Sequence, residues 1–391
     1  MNLFSDETRR NPYPLYDQIR ASSPVLRVPP PFDAWMLFDY DTVKWALNDH
    51  ETFSSRVPAP PWFIFFDPPL HSKLRGLISQ AFTPRMVASL EPRIRELSRE
   101  LLDHAVSRNQ MDLTTAFAVP LPMKVIAGMI GIPGDEWRRF KQWSDVILRI
   151  SITRSGGEQA EQAMRDFMAV TGEMAAYLER MIELRRQSPQ DDLLTRLVEA
   201  EVDGERLSHQ EILGFFQLLI VAGQETTTNL ISNAVLCLLE HVDQLARLRA
   251  APGLLPSAIE EVLRYRSPVQ WMMRTPRRDI QVGGHTIAAG QLVIPVIGAA
   301  NRDPRQFQDA GRFDIARDPN AHVAFGHGIH FCLGAALARM EARIALTELL
   351  ERFRHIQLAT DQPWEPRPAL HVHGPTHLPV SFELNRSAAT A

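Results

Sequence analysis

Cys332 sits in the stretch Phe325-Gly-His-Gly-Ile-His-Phe-Cys332-Leu-Gly334. This runs straight into Ala335-Ala-Leu-Ala-Arg-Met-Glu-Ala-Arg, the start of an alanine- and leucine-rich helix that extends to Leu350. The spacing places the cysteine in the first turn of that helix. Unpaired backbone N–H groups and the positive end of the helix dipole favour an anion there, so the sulfur is expected as the thiolate, the form that binds metals. Gly326, Gly328 and Gly334 lack a Cβ, which permits left-handed backbone angles and close approach of a flat ligand or a backbone amide to the sulfur. Three chemistries fit such a cysteine. It is a buried thiol acting as a small hydrophobe. Or it joins His322, His327 and His330 around zinc, against which stands the presence of only two cysteines in the chain. Or it is the single axial thiolate of a heme iron.

Three further groupings carry reactive side chains. His71-Ser-Lys-Leu-Arg75 sets an imidazole and a guanidinium four residues apart on one helix face, which by itself reads as a solvated basic stripe. Ala222-Gly-Gln-Glu-Thr-Thr-Thr228 lies inside an otherwise apolar helix. Glycine there costs about 1 kcal/mol relative to alanine, and threonine is a mediocre helix former. Local stability is given up either for a kink with a satisfied polar pocket or for chemistry, and the spacing puts Gly223, Thr226 and Thr227 near one face. Glu261 and Arg264, in Glu260-Glu-Val-Leu-Arg264, stand at i, i+3, and taken alone such a pair is ordinary on helix surfaces.

The elements that must position these groups are mostly helical. Ser208-His-Gln-Glu211 has the capping-box pattern, after which apolar helix runs to Glu240. At 1.5 Å per residue this is about 45 to 50 Å, enough to cross the molecule. Amphipathic helices are predicted over Met86–Ala105, Pro122–Met129, Asp135–Ile150 and Gln159–Arg186, with breaks at Pro133-Gly134 and Ser188-Pro189. Ahead of them the chain mixes a helix over Pro14–Ala21, strand-like runs at Val25–Val28 and Trp35–Phe38, and a helix capped by Asp41. Between Val57 and Pro69 five prolines exclude a helix, while Trp62, Phe63, Phe65 and Phe66 make an apolar loop, either a lid or a turn packed on the core. Strands are expected over Ile280–Ile287 and Leu292–Ile297, with turns at Gly283-Gly284 and Ala289-Gly290. No internal repeat, low-complexity tract or Pro/Gly linker divides the chain, which is read as one unit over residues 1–391.

The 391 residues are 45% hydrophobic, enough for a large core, and a formal net charge of -4 gives no general pull toward nucleic acid or anionic membrane. Cys237 lies in an apolar helical run, so no disulfide framework is expected and the compartment is read as reducing. The charged N-terminus, Met1-Asn-Leu-Phe-Ser-Asp-Glu-Thr-Arg-Arg10, does not read as a signal peptide. No run of about 18 apolar residues is present to span a bilayer. A soluble cytoplasmic protein with neither a nucleic-acid nor a membrane partner is expected.

Phe-Gly-His-Gly-Ile-His-Phe-Cys-Leu-Gly resembles the heme-binding loop of the cytochrome P-450 family, in its soluble bacterial form, and three further phrases match in the family's order. The resemblance implies that Cys332 is the axial ligand of heme b, in a loop bounded by Phe325 and Gly334. Asp67-Pro-Pro-Leu-His71-Ser-Lys-Leu-Arg75 matches a phrase whose His and Arg bind heme propionate. That gives His71 and Arg75 this role, with Arg274 as a third and His330 as a fourth donor. Ala222-Gly-Gln-Glu-Thr-Thr matches the oxygen-activation phrase: Gly223 leaves room for dioxygen, while Thr226 and Glu225 organise waters and pass protons. Glu261, Arg264 and Arg317 match a structural trio that serves folding and heme retention.

The loop from Ser55 to Asp67, shorter than in many relatives, would then lie over the heme. Phe63, Phe65, Ala222, Val269, Trp271 and, at the tip of a C-terminal hairpin, Thr376 would contact substrate. Asp309-Ala-Gly311 departs from the family's usual Asp-Pro-Asp and implies a locally different turn. The implied fold is the cytochrome P-450 fold, mainly α with a smaller β-rich portion around 24–40, 278–298 and 370–384. The implied reaction inserts one oxygen atom from dioxygen into a hydrophobic small molecule, by hydroxylation or epoxidation. Its electrons come from NAD(P)H through a ferredoxin-type donor and its reductase, for which Arg339, Arg343 and Lys73 offer a basic docking face. Two alternatives stand beside it: a heme-thiolate peroxygenase or isomerase, which would not need the Glu225–Thr226 pair, and a non-catalytic heme-binding sensor.

Overall fold

A computed structural model describes residues 5–30, 33–57, 61–105, 109–132, 136–149, 157–202, 204–360, 363–367 and 369–385. Helix predominates among the described residues and the strands are short, so the architecture is mainly α with a smaller sheet portion. The helix His209–Glu240 organises the rest. Its capping box is formed: the Glu211 N–H donates to Ser208 Oγ at 3.3 Å and the Ser208 N–H donates to Glu211 Oε2 at 2.7 Å. Residues from Ile212 to Leu238 are buried nearly all round, as an apolar helix at the centre of a core must be. Helices Pro120–Ile130, Trp137–Leu148, Leu255–Tyr265 and Ala335–Arg352 pack against it. Two glycines let neighbours close on this helix. A Cβ on Gly223 would stand 2.8 Å from Ile126 Cδ1, and one on Gly214 would stand 2.9 Å from the Pro61 carbonyl oxygen. Cys237 is buried on the same helix, and desolvation pushes its thiol up to about 12, which makes it a packing residue rather than a nucleophile.

Val25–Val28 and Ala34–Leu37 pair antiparallel, and Leu292–Pro295 adds to the second strand in parallel. Phe353–Leu358, Pro379–Leu384 and Gln110–Asp112 form a second antiparallel sheet. Ile280–Val282 and His285–Ile287 form a hairpin turning at Gly283 and Gly284, both with positive φ.

Several boundaries move from the sequence expectation. Met86–Ala105 resolves into helices Pro84–Ser89 and Glu91–Asp103, because Pro92 starts a new first turn after Leu90. The helix Tyr40–Asn48 is capped by Asp39, whose Oδ1 accepts the Thr42 N–H at 2.9 Å, and not by Asp41. The expected strand end at Ile297 is the start of a short helix, Ile297–Ala300. Between Val57 and Pro69 the described part holds one 3-10 turn, Phe63–Phe65. The Pro133-Gly134 break, with the predicted helix ends at Asp135 and Ile150, lies outside the described residues.

Glu261, Arg264 and Arg317 come together at the core side of the helix Leu255–Tyr265. Arg264 is fully buried and uses all five of its N–H donors: two on Glu261 (both 2.8 Å) and one each on the carbonyls of Asn301 (3.0 Å), Ala310 (2.8 Å) and Arg312 (2.9 Å). Glu261 also accepts from Arg317 Nε at 3.1 Å, Asn320 Nδ2 at 3.2 Å and the Asp314 N–H at 2.9 Å. A buried ion pair this fully hydrogen-bonded holds the irregular segment 301–320 against the helix. Within that segment, at Asp309-Ala-Gly311, Asp309 takes a positive φ of 49° and its carbonyl accepts from Arg312 and Arg317.

Candidate active site

The cysteine loop is closed by its own backbone. The Cys332 N–H donates to the Phe325 carbonyl at 2.9 Å and the Phe331 N–H to that of Gly328 at 3.0 Å. Gly326 (φ 75°) and Gly328 (φ 70°) occupy the left-handed region, which only glycine enters cheaply. Gly334 does not: it is the N-cap of Ala335–Arg352 at φ -83°, and a Cβ there would lie 4.0 Å from Cys332 Sγ. Cys332 therefore precedes the helix rather than lying in its first turn. Its thiol is also not held as thiolate by the protein alone. Burial raises its pKa, and this outweighs the Gly334 amide bonded to the sulfur and the charges of Arg75 and Arg339. A bound cation is what would remove the proton.

The three histidines of the zinc alternative have other partners. His322 bonds Glu260 at 3.1 Å, His327 bonds Asn48 at 3.0 Å, and His330 Nε2 bonds Ser55 Oγ at 2.9 Å. Among the described residues no group of three or more His, Cys, Asp or Glu is arranged to hold a metal.

Around this loop the fold collects cationic and N–H-bearing groups that lack an anion. His71 is buried, its ring lies 4.1 Å from that of His330, and neither of its ring nitrogens has a hydrogen-bond partner. Nδ1 of His330 is likewise buried and unpartnered. Arg274 is buried with its guanidinium bonded to the Met273 carbonyl at 2.8 Å, and burial lowers its pKa to about 10 despite some help from Asp67. Arg75 reaches the Phe331 carbonyl at 2.7 Å. Burial depresses His71 to about 4 and His330 to about 2, so both rings are neutral, each with one N–H to give. Buried donors without acceptors are rare in folded proteins. This set, next to a metal-competent sulfur, fits a flat iron-bearing group that carries carboxylates.

Asp67 and Ser55 escaped the sequence reading of the site. Asp67 is buried and accepts from Ser55 N–H at 2.8 Å, Ser54 Oγ at 2.5 Å and Arg277 Nη2 at 2.6 Å, which anchors the loop that presents His71. Its signal was its place at the head of the Asp-Pro-Pro phrase. Nothing in the sequence marked Ser55.

On the His209–Glu240 helix, Ala222 is exposed and Gly223 and Thr226 are half-buried, while Glu225 and Thr227 are buried. Ala222, Gly223 and Thr226 thus form the accessible face, and Thr227 does not belong to it. Thr226 Oγ1 donates to the Ala222 carbonyl at 2.6 Å. Glu225 turns away and pairs with Arg367 Nε at 3.2 Å, a partner with no sequence signal. Gly223 has a packing reason in Ile126 as well as the one the resemblance implies.

Phe63 is buried between His71 (ring centroids 6.0 Å) and Phe215 (6.1 Å), and Phe65 stacks on Trp62 at 6.0 Å. Trp62 in turn donates to Gln217 Oε1 at 3.1 Å, which ties the aromatic loop to the central helix. Val269 is half-buried and bridges to Val372. Trp271 donates to the Leu370 carbonyl at 3.1 Å and lines a cavity with Tyr16, Met36, Arg367 and Val372, the bridge partner of Val269. Thr376 is on an arm of the C-terminal hairpin, not its tip: its N–H donates to the Glu365 carbonyl at 2.8 Å, and Pro366 bridges Pro375. The three cations of the expected docking face are all paired, Arg339 with Glu260, Arg343 with Glu91 and Lys73 with Glu205.

Comparison with known proteins agrees with this geometry. A family model described as Cytochrome P450 matches residues 31–251 and 253–378. Cytochrome P450 107B1 of Saccharopolyspora erythraea is 43% identical over 349 residues, covering 84% of each chain. The crystal structure of CYP109E1 from Bacillus megaterium in complex with corticosterone superposes with a TM-score of 0.88 at 40% identity, covering 96% of this chain and 99% of that one. P450BioI, solved with an acyl carrier protein ligated to hexadec-9Z-enoic acid, gives a TM-score of 0.90 at 37% identity, covering 97% and 99%. Among the described residues no helix is long and apolar enough to cross a membrane.

Proposed function

The chain belongs to the cytochrome P450 family, an oxygen-incorporating oxidoreductase with heme b, and on that premise we propose that it is a monooxygenase of hydrophobic organic molecules in which Cys332 would ligate the iron. The observation that carries this reading is the convergence on one place of Cys332 with His71, both of whose buried ring nitrogens lack a partner, His330, whose Nδ1 lacks one, and the buried guanidinium of Arg274. When bound, heme b would supply the redox chemistry by which dioxygen, two electrons and two protons give one oxygen atom to substrate and the other to water.

The chain's own residues do the rest. His71, His330, Arg274 and Arg75 would hold the heme carboxylates through N–H bonds, and charge-assisted bonds of this kind orient as well as bind. Phe325 and Gly334 keep the sulfur's surroundings tight, so the Gly334 amide remains bonded to it. Thr226, once its hydroxyl leaves the Ala222 carbonyl, holds a proton over the accessible face, and Glu225 resupplies it after parting from Arg367. Phe63, Phe65, Ala222 and Val269 exclude water and receive apolar substrate. The steroid bound to CYP109E1 and the fatty acyl chain carried to P450BioI support a substrate of that apolar class. A ferredoxin-type donor with its reductase delivers the electrons.

The test is the reduced, carbon-monoxide-bound absorption spectrum of the purified protein beside Cys332→Ser. A strongly red-shifted Soret band, lost in the variant, is expected. A band typical of histidine ligation in folded wild-type protein would overturn the assignment.

A further inference from the structure

Glu260 and Glu261 are neighbours on one helix, yet each is the hub of a different cluster. Glu261 faces the core. Glu260 faces the cysteine loop, where its carboxylate takes the Nε and Nη2 of Arg339 as a fork, both at 2.7 Å. It also takes Nε2 of His322 at 3.1 Å. The Ala324 N–H donates to His322 Nδ1 at 3.2 Å, so that nitrogen accepts and the N–H on Nε2 is the one given to Glu260. One carboxylate thereby fastens both flanks of the loop: the strand-like segment before it and the helix after it.

Arg339 carries the contact inward. Its guanidinium carbon stands 4.5 Å from the ring centroid of Phe325, the residue whose carbonyl accepts the Cys332 N–H at 2.9 Å. A cation over a ring face is attracted to it, so the guanidinium is held against the loop. Its positive charge acts on the sulfur, being among the groups that favour the Cys332 thiolate. Burial works against ionisation of Glu260, but Arg339 and His322 outweigh it and hold the carboxyl down at about 2. The carboxylate is therefore charged at any working pH and offsets the arginine beside it.

We propose that Glu260 and Arg339 are a charge-balanced positioning pair that sets the reduction potential of the iron held by Cys332. The inference rests on the reading of Cys332 as axial ligand. One-electron reduction, ferric to ferrous, with the electron taken from the ferredoxin-type donor, adds one negative charge to the iron–sulfur unit. A nearby positive charge favours the reduced form and a negative one opposes it. Removing Glu260 leaves Arg339 unbalanced, and removing Arg339 leaves Glu260 unbalanced, so the two losses must act in opposite directions. A loosened loop would move both in the same direction. This assigns Arg339 to tuning rather than to docking of the electron donor.

The experiment is a spectroelectrochemical titration of the heme-loaded wild type, Glu260→Gln, Arg339→Gln and the double variant, each with its reduced carbon-monoxide spectrum. Glu260→Gln raises the midpoint and Arg339→Gln lowers it. Each changes the reduced-to-oxidised ratio at the wild-type midpoint by about threefold or more, and the double variant lies between them. Glu260→Asp and Arg339→Lys, which keep both charges and give up only the fork, stay near wild type; they also serve where a Gln variant does not retain heme. Shifts of one sign, no shift, or Asp and Lys variants that move as far as the Gln ones overturn the proposal. So does an Arg339→Gln protein of unchanged potential whose reduction by ferredoxin is slowed. A wild type without the thiolate band overturns the reading beneath it, whereas a wild type with the band but without opposed shifts overturns this inference alone.

Discussion

The two sides of the site are built differently. On the cysteine side most of the charged groups are tied to another element. Glu260 joins His322 and Arg339, Glu261 joins Arg264 and Arg317, Arg75 joins Phe331, and Arg95 and Arg99 hold buried Glu348 on the helix that follows the loop. On the threonine side the groups able to move protons are held by few bonds. Thr226 bonds its own helix and Glu225 bonds Arg367, while the aromatic loop is attached through Trp62 and the close approach of Pro61 to Gly214. The difference separates stability from reactivity. The side that presents the sulfur is cross-linked and costly to disturb, and the side proposed to move protons is lightly held and can rearrange.

Substitutions that break this contrast are expected to lose stability on the cysteine side and chemistry on the threonine side. Glu261→Gln leaves Arg264 as an unbalanced buried charge. It should cost about 3–5 kcal/mol and release heme, as read by urea unfolding of the loaded protein; a cost under about 1 kcal/mol would remove the contrast.

Glu341, buried on the cysteine helix with Oε2 unpartnered, comes next. Burial raises its carboxyl from 4.5 to about 8, so the folded protein keeps it protonated. Its contribution is full at pH values below the unfolded pKa and is lost as pH rises toward the folded one, at up to about 1.4 kcal/mol per pH unit. Glu341→Gln should flatten the fall in stability between pH 5 and 8, a window set by those two values; an unchanged slope would place the titration elsewhere.

Trp62→Phe leaves the buried Gln217 oxygen without its donor and should cost about 1–2 kcal/mol, seen as a lower thermal midpoint with an unaltered carbon-monoxide band.

The smallest effect on stability, within about 0.5 kcal/mol, belongs to Thr226→Ala, since alanine is the better helix former and only an i−4 back-bond is lost. Its effect on chemistry should be large: heme and ligand binding persist while electrons are diverted to hydrogen peroxide. Full coupling of electrons to product in that variant would show that Thr226 passes no proton.

Much of this was legible in the chain wherever the physics is local. Gly326 and Gly328 lie in the left-handed region, Ser208 and Glu211 close their capping box, and Glu261 and Arg264 meet at i, i+3. Each follows from a few adjacent residues. Expectations that needed a distant partner fared unevenly. The resemblance gives Glu225 and Thr226 one role; successive helix residues point about 100° apart, and Glu225 meets Arg367 on the C-terminal arm, which no local pattern announces. Trp271 lines a cavity beside Tyr16 and Arg367, and Val269 meets that same C-terminal arm through Val372, contacts that no local pattern announces. The thiolate expected from the helix dipole met a stronger opponent in burial, a quantity that exists only once the chain has folded.

By itself, then, the order of residues determined the cysteine loop, the central helix and its cap, and the identity of the side chains able to do the chemistry, because backbone preferences and helix spacing act over a few residues. Only the tertiary structure decided that His71 meets His330 at 4.1 Å, that Arg367 holds Glu225, and that Glu260 and Arg339 close around Phe325. Those contacts join segments far apart in the chain, and which groups end up desolvated, paired or left without a partner depends on how the helices pack.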